Sequence, residues 1–321
     1  MRLPVVIVTI LALSGVAQAA PLVPGHVAAD AKWFGHVNAE KIRSMPLFAE
    51  WKAKWHGEGR RHERVEEMSK KLGMNLTEDL LGLTLYATQY EGQLGVGLFY
   101  VKNLDREKML AFFKEKHPDH KTTSYGDRTL YSWTAKCHSK KMELTGTFAS
   151  DAMVVIGADA GHVKAALDVL DGKKPGLGTS AKLVQGVSED ALFVSQAIDV
   201  PEGYRKETKC PVLRNCTAAM AQWTERNGQI VGRYVLMADS AETAKNFKAL
   251  VDGFQAMGNL RYSKSEAVKK VMDGLSCGAE GDVFSLVWKT TADDVKAAMK
   301  QVKKHKDKHH HGKKRAKTHE Q

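Results

Sequence analysis

"DAMVVIGADAGHVKAALDVL" (Asp151–Leu170) and "DVFSLVWKTTADDVKAAMKQV" (Asp282–Val302) carry one pattern twice. Aligned without gaps, Val154-Val155-Ile156 falls on Leu286-Val287-Trp288, and Val163-Lys164-Ala165-Ala166-Leu167 falls on Val295-Lys296-Ala297-Ala298-Met299. Each copy has a short apolar run, a turn, and then apolar residues three and four apart, which predicts strand, turn and amphipathic helix. Taken alone, the first copy resembles a phosphate cradle, because glycines at a helix start expose unpaired N–H groups and the positive dipole end to an anion. The second copy argues against it: Lys289-Thr290-Thr291 replaces Gly157-Ala158-Asp159, and Asp293 replaces Gly161. The shared feature is a building unit, and no nucleotide is expected on either turn.

Neighbouring pieces repeat in the same order. "AKWFGHVN" (31–38) has a counterpart in "ALFVSQAI" (191–198), and "LTLYATQYEGQLGVGLFYV" (83–101) in "AAMAQWTERNGQIVGRYVLM" (219–237), with Gly92-Gln93 on Gly228-Gln229. Asn227-Gly228 between alternating runs signals a two-residue hairpin turn. An amphipathic helix follows each hairpin, "DREKMLAFFKEK" (105–116) and "SAETAKNFKALVDGFQAM" (240–257). The first copy adds "PLFAEWKAKW" (46–55), "RVEEMSKKLG" (64–73) and the hairpin "TTSYGDRTLYSW" (122–133); the second has a helix, "SKSEAVKKVMDGL" (263–275), in place of that hairpin. These pieces predict an α+β fold: an internally duplicated unit of mostly antiparallel sheet with helices packed on one face. The first repeat spans 20–172, a Gly/Pro-bearing linker 173–182, and the second repeat 183–305.

The chain opens with Arg2, an apolar run from Leu3 to Leu13 and small residues ending Ala17-Gln18-Ala19. That is the layout of a secretory signal peptide over 1–19, with cleavage between Ala19 and Ala20 and a periplasmic or secreted product. The apolar run is about half the ~20 residues of a membrane-spanning helix, so no transmembrane segment is expected beyond the signal.

A formal charge of +11 suggests a polyanion partner until the charges are located. Residues 300–321 hold nine Lys/Arg against two acids, and Arg2 lies in the signal, which leaves the rest near neutral. Nucleic acid is therefore not the expected partner of the folded body. The segment 306–321 has almost no apolar residue and is expected to be a disordered, basic, His-rich tail. Its Lys313, Lys314 and Arg315 suit polyanion attachment by counterion release, and His309, His310 and His311 suit weak metal binding.

The cysteines, Cys137, Cys210, Cys216 and Cys277, all follow the signal, in a compartment that permits oxidation. Cys210 and Cys216 form the candidate local disulfide, and the absence of a C-x-x-C spacing gives no indication of zinc or thioredoxin-like chemistry. No local signature of a Ser hydrolase, zinc protease, P-loop or EF-hand occurs. His56, His62, His117 and His120 could converge on a metal but sit in charged, surface-type stretches. His36 reads as a paired strand residue and His162 as a solvent-facing helix residue. The acid pairs Glu66-Glu67, Glu78-Asp79 and Asp293-Asp294 have charge partners or helix-start positions that account for them. The stripes Trp51/Trp55 and Phe112/Phe113 read as core. No cofactor, resident metal or catalytic residue is assigned.

The phrases "AADAKWFGHVNAEKIRSMPL", "LTEDLLGLTLYATQ", "TTSYGDRTLYSW" and "DAMVVIGADAGHVKAALDVLDGKKP" resemble a family of exported proteins of planctomycete-type bacteria. The resemblance covers most of 27–175 and implies export, without bringing a catalytic or binding residue. Gly35 and Asn38 stand where the family's phrase carries Val and Asp, which argues against a required carboxylate at that strand end. The functional expectation is an exported, non-catalytic scaffold or binding protein, with an envelope polymer or another exported protein as partner. The alternatives are a hydrolase-type enzyme with its site in the cleft between the repeats, and a polyanion binder acting through the tail.

Overall fold

The computed structural model describes residues 20–45, 48, 59–90, 95–137 and 140–303. In chain order, the first half contributes β1 (Trp33–Asn38), α1 (Ala39–Ser44), α2 (Gly59–Leu72), β2 (Leu80–Ala87), β3 (Val96–Val101), α3 (Arg106–Lys116), β4 (Lys121–Tyr125), β5 (Arg128–Cys137), β6 (Lys140–Ser150), β7 (Met153–Gly157) and α4 (Ala160–Leu170). The second contributes β8 (Ala191–Ala197), α5 (Glu202–Glu207), α6 (Pro211–Arg214), β9 (Cys216–Arg226), β10 (Gln229–Ala238), α7 (Ala241–Arg261), α8 (Glu266–Asp273), β11 (Leu275–Glu280), β12 (Val283–Thr291) and a last helix, α9, over 292–303.

All twelve strands join one antiparallel sheet in the order β11-β12-β10-β9-β8-β1-β2-β3-β7-β6-β5-β4. Read outward from the centre, β1-β2-β3-β7-β6 on one side mirrors β8-β9-β10-β12-β11 on the other. The register makes the correspondence specific. His36 pairs with Thr84, Thr84 with Leu98 and Leu98 with Val155. Val194 likewise pairs with Gln222, Gln222 with Arg233 and Arg233 with Val287. Val155 thus matches Val287, as the sequence alignment has it, and the fold is an internally duplicated α+β unit. At the seam His36 pairs with its own counterpart Val194, so a local two-fold axis passes between them.

Strand alternation sends Phe34, His36, Thr84, Leu98, Tyr100 and Val155 to one face, where all are buried. On it α4 lays Val163, Ala166 and Leu167, closing the main core. On the opposite face lie the helices that follow the two long hairpins. There, Phe113 of α3 packs on Tyr131 and Trp133, and Phe247 of α7 on Phe284, in the edge-to-face manner that aromatic pairs prefer.

Turn chemistry fixes the hairpins. Asn227 and Gly228 both take positive φ, 53° and 79°, between the paired Arg226 and Gln229, as a type I′ turn requires. Gly126, at φ 60°, opens the turn between Tyr125 and Arg128. That hairpin is latched to the end of α4. The Tyr125 hydroxyl donates to Asp168 at 2.6 Å, and both terminal nitrogens of Arg128 donate to Asp171 at 2.9 Å. The connection 173–182 is packed chain: Leu177 is buried, its N–H donates to the Val27 carbonyl at 2.8 Å, and Ala28 bridges Gly176. A 3-10 turn at Lys182–Val184 then buries Leu183. It is displaced from the 3-10 turn Pro24–His26 by the same spacing that separates Val194 from His36.

Candidate functional site

Helix α3 has the signals of a well-formed helix. Asp105 at its N-cap accepts from the Lys108 N–H at 3.0 Å, Glu107 sits in the first turn, and Lys114 and Lys116 sit in the last. It presents Met109, Leu110, Phe112 and Phe113 to the region between itself and the sheet, yet none of its residues is fully buried. Its counterpart α7 buries Ala244 and Phe247. The difference is a cavity of about 240 Å³ under α3, walled by Leu72 at the end of α2, by Met109, Phe112 and Phe113, and by Trp133, Phe148, Val154 and Ile156 of the sheet. Glycine at 146 shapes its floor, because a Cβ there would come within 3.3 Å of the Trp133 ring.

One end of the cavity is an aromatic cluster centred on Phe113. Its ring lies 5.1 Å from Trp133, 5.8 Å from Tyr131, 5.1 Å from His117 and 5.3 Å from His120. His120 Nδ1 lies 2.7 Å from the His117 carbonyl, an acceptor only, so the proton of that bond belongs to the imidazole. Two other polar groups of the wall are engaged. Thr147 donates to the Thr129 carbonyl at 2.8 Å; Lys116 lies 3.5 Å from Glu115 and 5.7 Å from the Phe112 ring. The space therefore offers carbon and ring faces. Burying apolar area there favours a ligand by roughly 25 cal/mol per Å².

The helical spacing of Phe112 and Phe113 predicts core. They are half-buried cavity wall instead, and the reason, strands Arg128–Cys137 and Lys140–Ser150 arriving beneath α3, is not local in sequence. His117 and His120 do come together, but on aromatic rings; His56 and the side chain of His62 lie outside the described residues. Among the described residues no group of three or more His, Cys, Asp or Glu is placed to hold a metal ion.

His36 is a paired strand residue, as its position suggests, and 1% exposed. Its Nδ1 lies 2.9 Å from Thr84 Oγ1 and its Nε2 3.1 Å from the Ala20 carbonyl. Burial pushes its pKa down to about 4, only partly offset by the Ala20 bond. Beside it Tyr100, pushed up to about 12 by burial, meets His26 Nδ1 at 3.1 Å. On the turn of the opening stretch, Asp159 accepts from the His162 N–H at 2.9 Å, so a carboxylate already occupies the place a phosphate would take. Gly157 serves packing, since a Cβ there would meet Val163 at 3.0 Å. Asp79 accepts from the Asn75 N–H at 2.6 Å and the Asn103 amide at 3.1 Å, while Asp294 pairs with Lys270 at 2.8 Å.

Cys210 and Cys216 are unbridged thiols here, as is Cys277. Cys216 donates to the Val212 carbonyl at 3.2 Å, turned back over α6, and burial, with Cys210 nearby, pushes its thiol up to about 11. The side chain of Cys137 lies outside the described residues, as do His309, His310, His311, Lys313, Lys314 and Arg315. Among the described residues no helix is long and apolar enough to cross a membrane.

No family model and no curated protein matches the sequence. Among solved structures, the chain is similar to crystal form III of TP0453, at 10% identity and a TM-score of 0.44, over 88% of this chain and 98% of that one. It is similar also to crystal form I of TP0453, at 10% identity and a TM-score of 0.42, over 88% and 97% of the two chains.

Proposed function

We propose that this is an exported binding protein whose ligand is a small, uncharged, apolar molecule held between α3 and the sheet. The observation that carries the reading is the contrast between the two halves. At equivalent places in one duplicated fold, α7 closes on Phe284, whereas α3 stands off its strands and leaves about 240 Å³ walled by apolar and aromatic side chains. Native interiors are packed without such gaps, and apolar pockets with few polar groups are the usual form of a small-molecule site. The export half of the reading rests on the Arg2-to-Ala19 pattern.

Titration with a fluorescent apolar probe such as 1-aminoanthracene tests it. The protein should bind the probe saturably, and Val154→Trp, which adds bulk to the cavity wall, should weaken binding at least about tenfold while leaving the melting temperature within a few degrees. Equal binding by the filled variant would move the site elsewhere.

A further inference from the structure

We infer that a second hollow, at the C-terminal end of β2, binds a zwitterionic α-amino acid with an apolar side chain: Asp30 takes the ammonium, Lys174 the carboxylate, and the Tyr86 hydroxyl a hydrogen bond inside. This hollow lies on the face of the sheet that α4 covers, away from the cavity under α3, and measures about 400 Å³, within the usual range for small-molecule sites. Tyr86 is only 3% exposed and forms part of its wall, yet its hydroxyl makes no hydrogen bond among the described residues. Buried tyrosine hydroxyls ordinarily find a partner. Burial first, and then the field of the Asp30 carboxylate, push its pKa above the ordinary tyrosine value, so it remains a protonated donor.

The rim carries one charge of each sign. Ala28 bridges Gly176 in antiparallel fashion and the Ala29 N–H donates to the Pro175 carbonyl at 3.1 Å. Continued by one residue, that pairing sets Asp30 opposite Lys174, and both border the hollow. Facing residues of opposite charge attract, but these two form no ion pair. Lys174 Nζ lies 3.5 Å from Asp168, a carboxylate that already accepts from Tyr125, and Asp30 has no cation within ion-pair distance among the described residues. A simple anion would meet Asp30 as a like charge, and a simple amine would meet Lys174 so; a molecule with both signs on adjacent groups suits the pair. Val96 and Val169 give its side chain an apolar wall. His162 closes another side: its Nδ1 faces Asp159 at 2.9 Å, which leaves Nε2 as the ring nitrogen open to a ligand.

Calorimetric titration with L-leucine and L-phenylalanine tests the inference. At least one should bind saturably at millimolar concentration, and isoamylamine and isocaproate, which lack the carboxylate and the ammonium of leucine, should bind at least about tenfold more weakly. Asp30→Asn and Lys174→Met, both at exposed positions, should each weaken amino-acid binding by about the same factor with little change in melting temperature. Tyr86→Phe should weaken binding without lowering the melting temperature, because the hydroxyl it removes has no partner in the fold; a loss of several degrees would assign that hydroxyl to stability and overturn its role. Val154→Trp, which fills the cavity under α3, should leave amino-acid binding unchanged. No saturable binding of either amino acid, analogues that bind as well, full affinity in Asp30→Asn and Lys174→Met, or affinity lost in Val154→Trp would each overturn the inference.

Discussion

His36 shows what a single buried side chain does to the pH response. Its pKa in the folded protein is lowered to about 4 by burial, from an ordinary value near 6.5. Above pH 6.5 the imidazole is neutral in both folded and unfolded chains and the stabilisation is complete. As pH falls from about 6.5 toward about 4 the unfolded chain takes up a proton that the folded one refuses, so stability falls by about 3 kcal/mol. His36→Val, which installs the side chain of its counterpart Val194, should flatten that decline in urea melts across the same pH range. A slope unchanged by the substitution would transfer the effect to another group, His26 first, since burial lowers its pKa too. At the same scale, Cys210 is exposed and Cys216 buried. Brief treatment with iodoacetamide should label Cys210 well before Cys216; a mass two hydrogens lower, restored by reductant, would show the pair bridged instead. The sequence places His36 on a strand, but its partners Thr84 and Ala20 lie 48 and 16 residues away and no local pattern announces them.

Two of the sequence's most distinctive phrases, the hairpin around Tyr125–Arg128 and the end of α4 around Asp168–Asp171, touch each other. The Tyr125 hydroxyl holds the Asp168 carboxyl below its usual range, and Arg128 does the same to Asp171. Both carboxylates therefore stabilise the fold above the ordinary carboxylate pKa, and that contribution is lost as pH falls below about 4. Arg128→Ala should cost about 1 kcal/mol at neutral pH, and the deficit should shrink progressively as pH falls below about 4; a deficit independent of pH would assign it to the packing of the arginine stem. Elements are legible where their signal is local: the Asn227-Gly228 turn, the helix that replaces a hairpin in the second half, and the match of Val155 to Val287. The match of β1 to β8 is less so. Aligning 31–38 with 191–198 sets His36 on Gln196, whereas the pairing sets it on Val194. A slip of two residues keeps every side chain on its own face, so the inside–outside pattern cannot detect it. Fourteen residues separate Thr84 from Leu98 but eleven separate Gln222 from Arg233, a loop difference that the shared Gly-Gln pair disguises.

Taken whole, the molecule divides its work unevenly. The cavity under α3 depends on β5, β6 and β7 and on α2, and its walls come from positions 72 to 156, too dispersed for any sequence motif. Charge is uneven as well, concentrated in the basic stretch after Lys300. A chain ending at Lys303 should keep its melting temperature and elute earlier in salt from a heparin column, because every sulfate that the basic stretch no longer neutralises is one counterion fewer set free on binding. Retention unchanged by the truncation would relocate the anion affinity to the folded part.

The pairing of His36 with Val194 has a consequence for ancestry. A strand that lies antiparallel to its own counterpart, with one position meeting itself on the axis, is the arrangement found where two identical subunits join by two-fold symmetry through a shared sheet edge. The present chain is thus laid out as a covalently fused homodimer. Fusion frees the two subunits to diverge: α3 stands off its strands while α7 packs Phe247 on Phe284, a difference that strict symmetry forbids. Separated again, residues 20–179 would bare β1 as an open edge, and such edges recruit strands. Light scattering on that fragment should report a dimer; a stable monomer would mean that the seam holds only because the two copies share one chain.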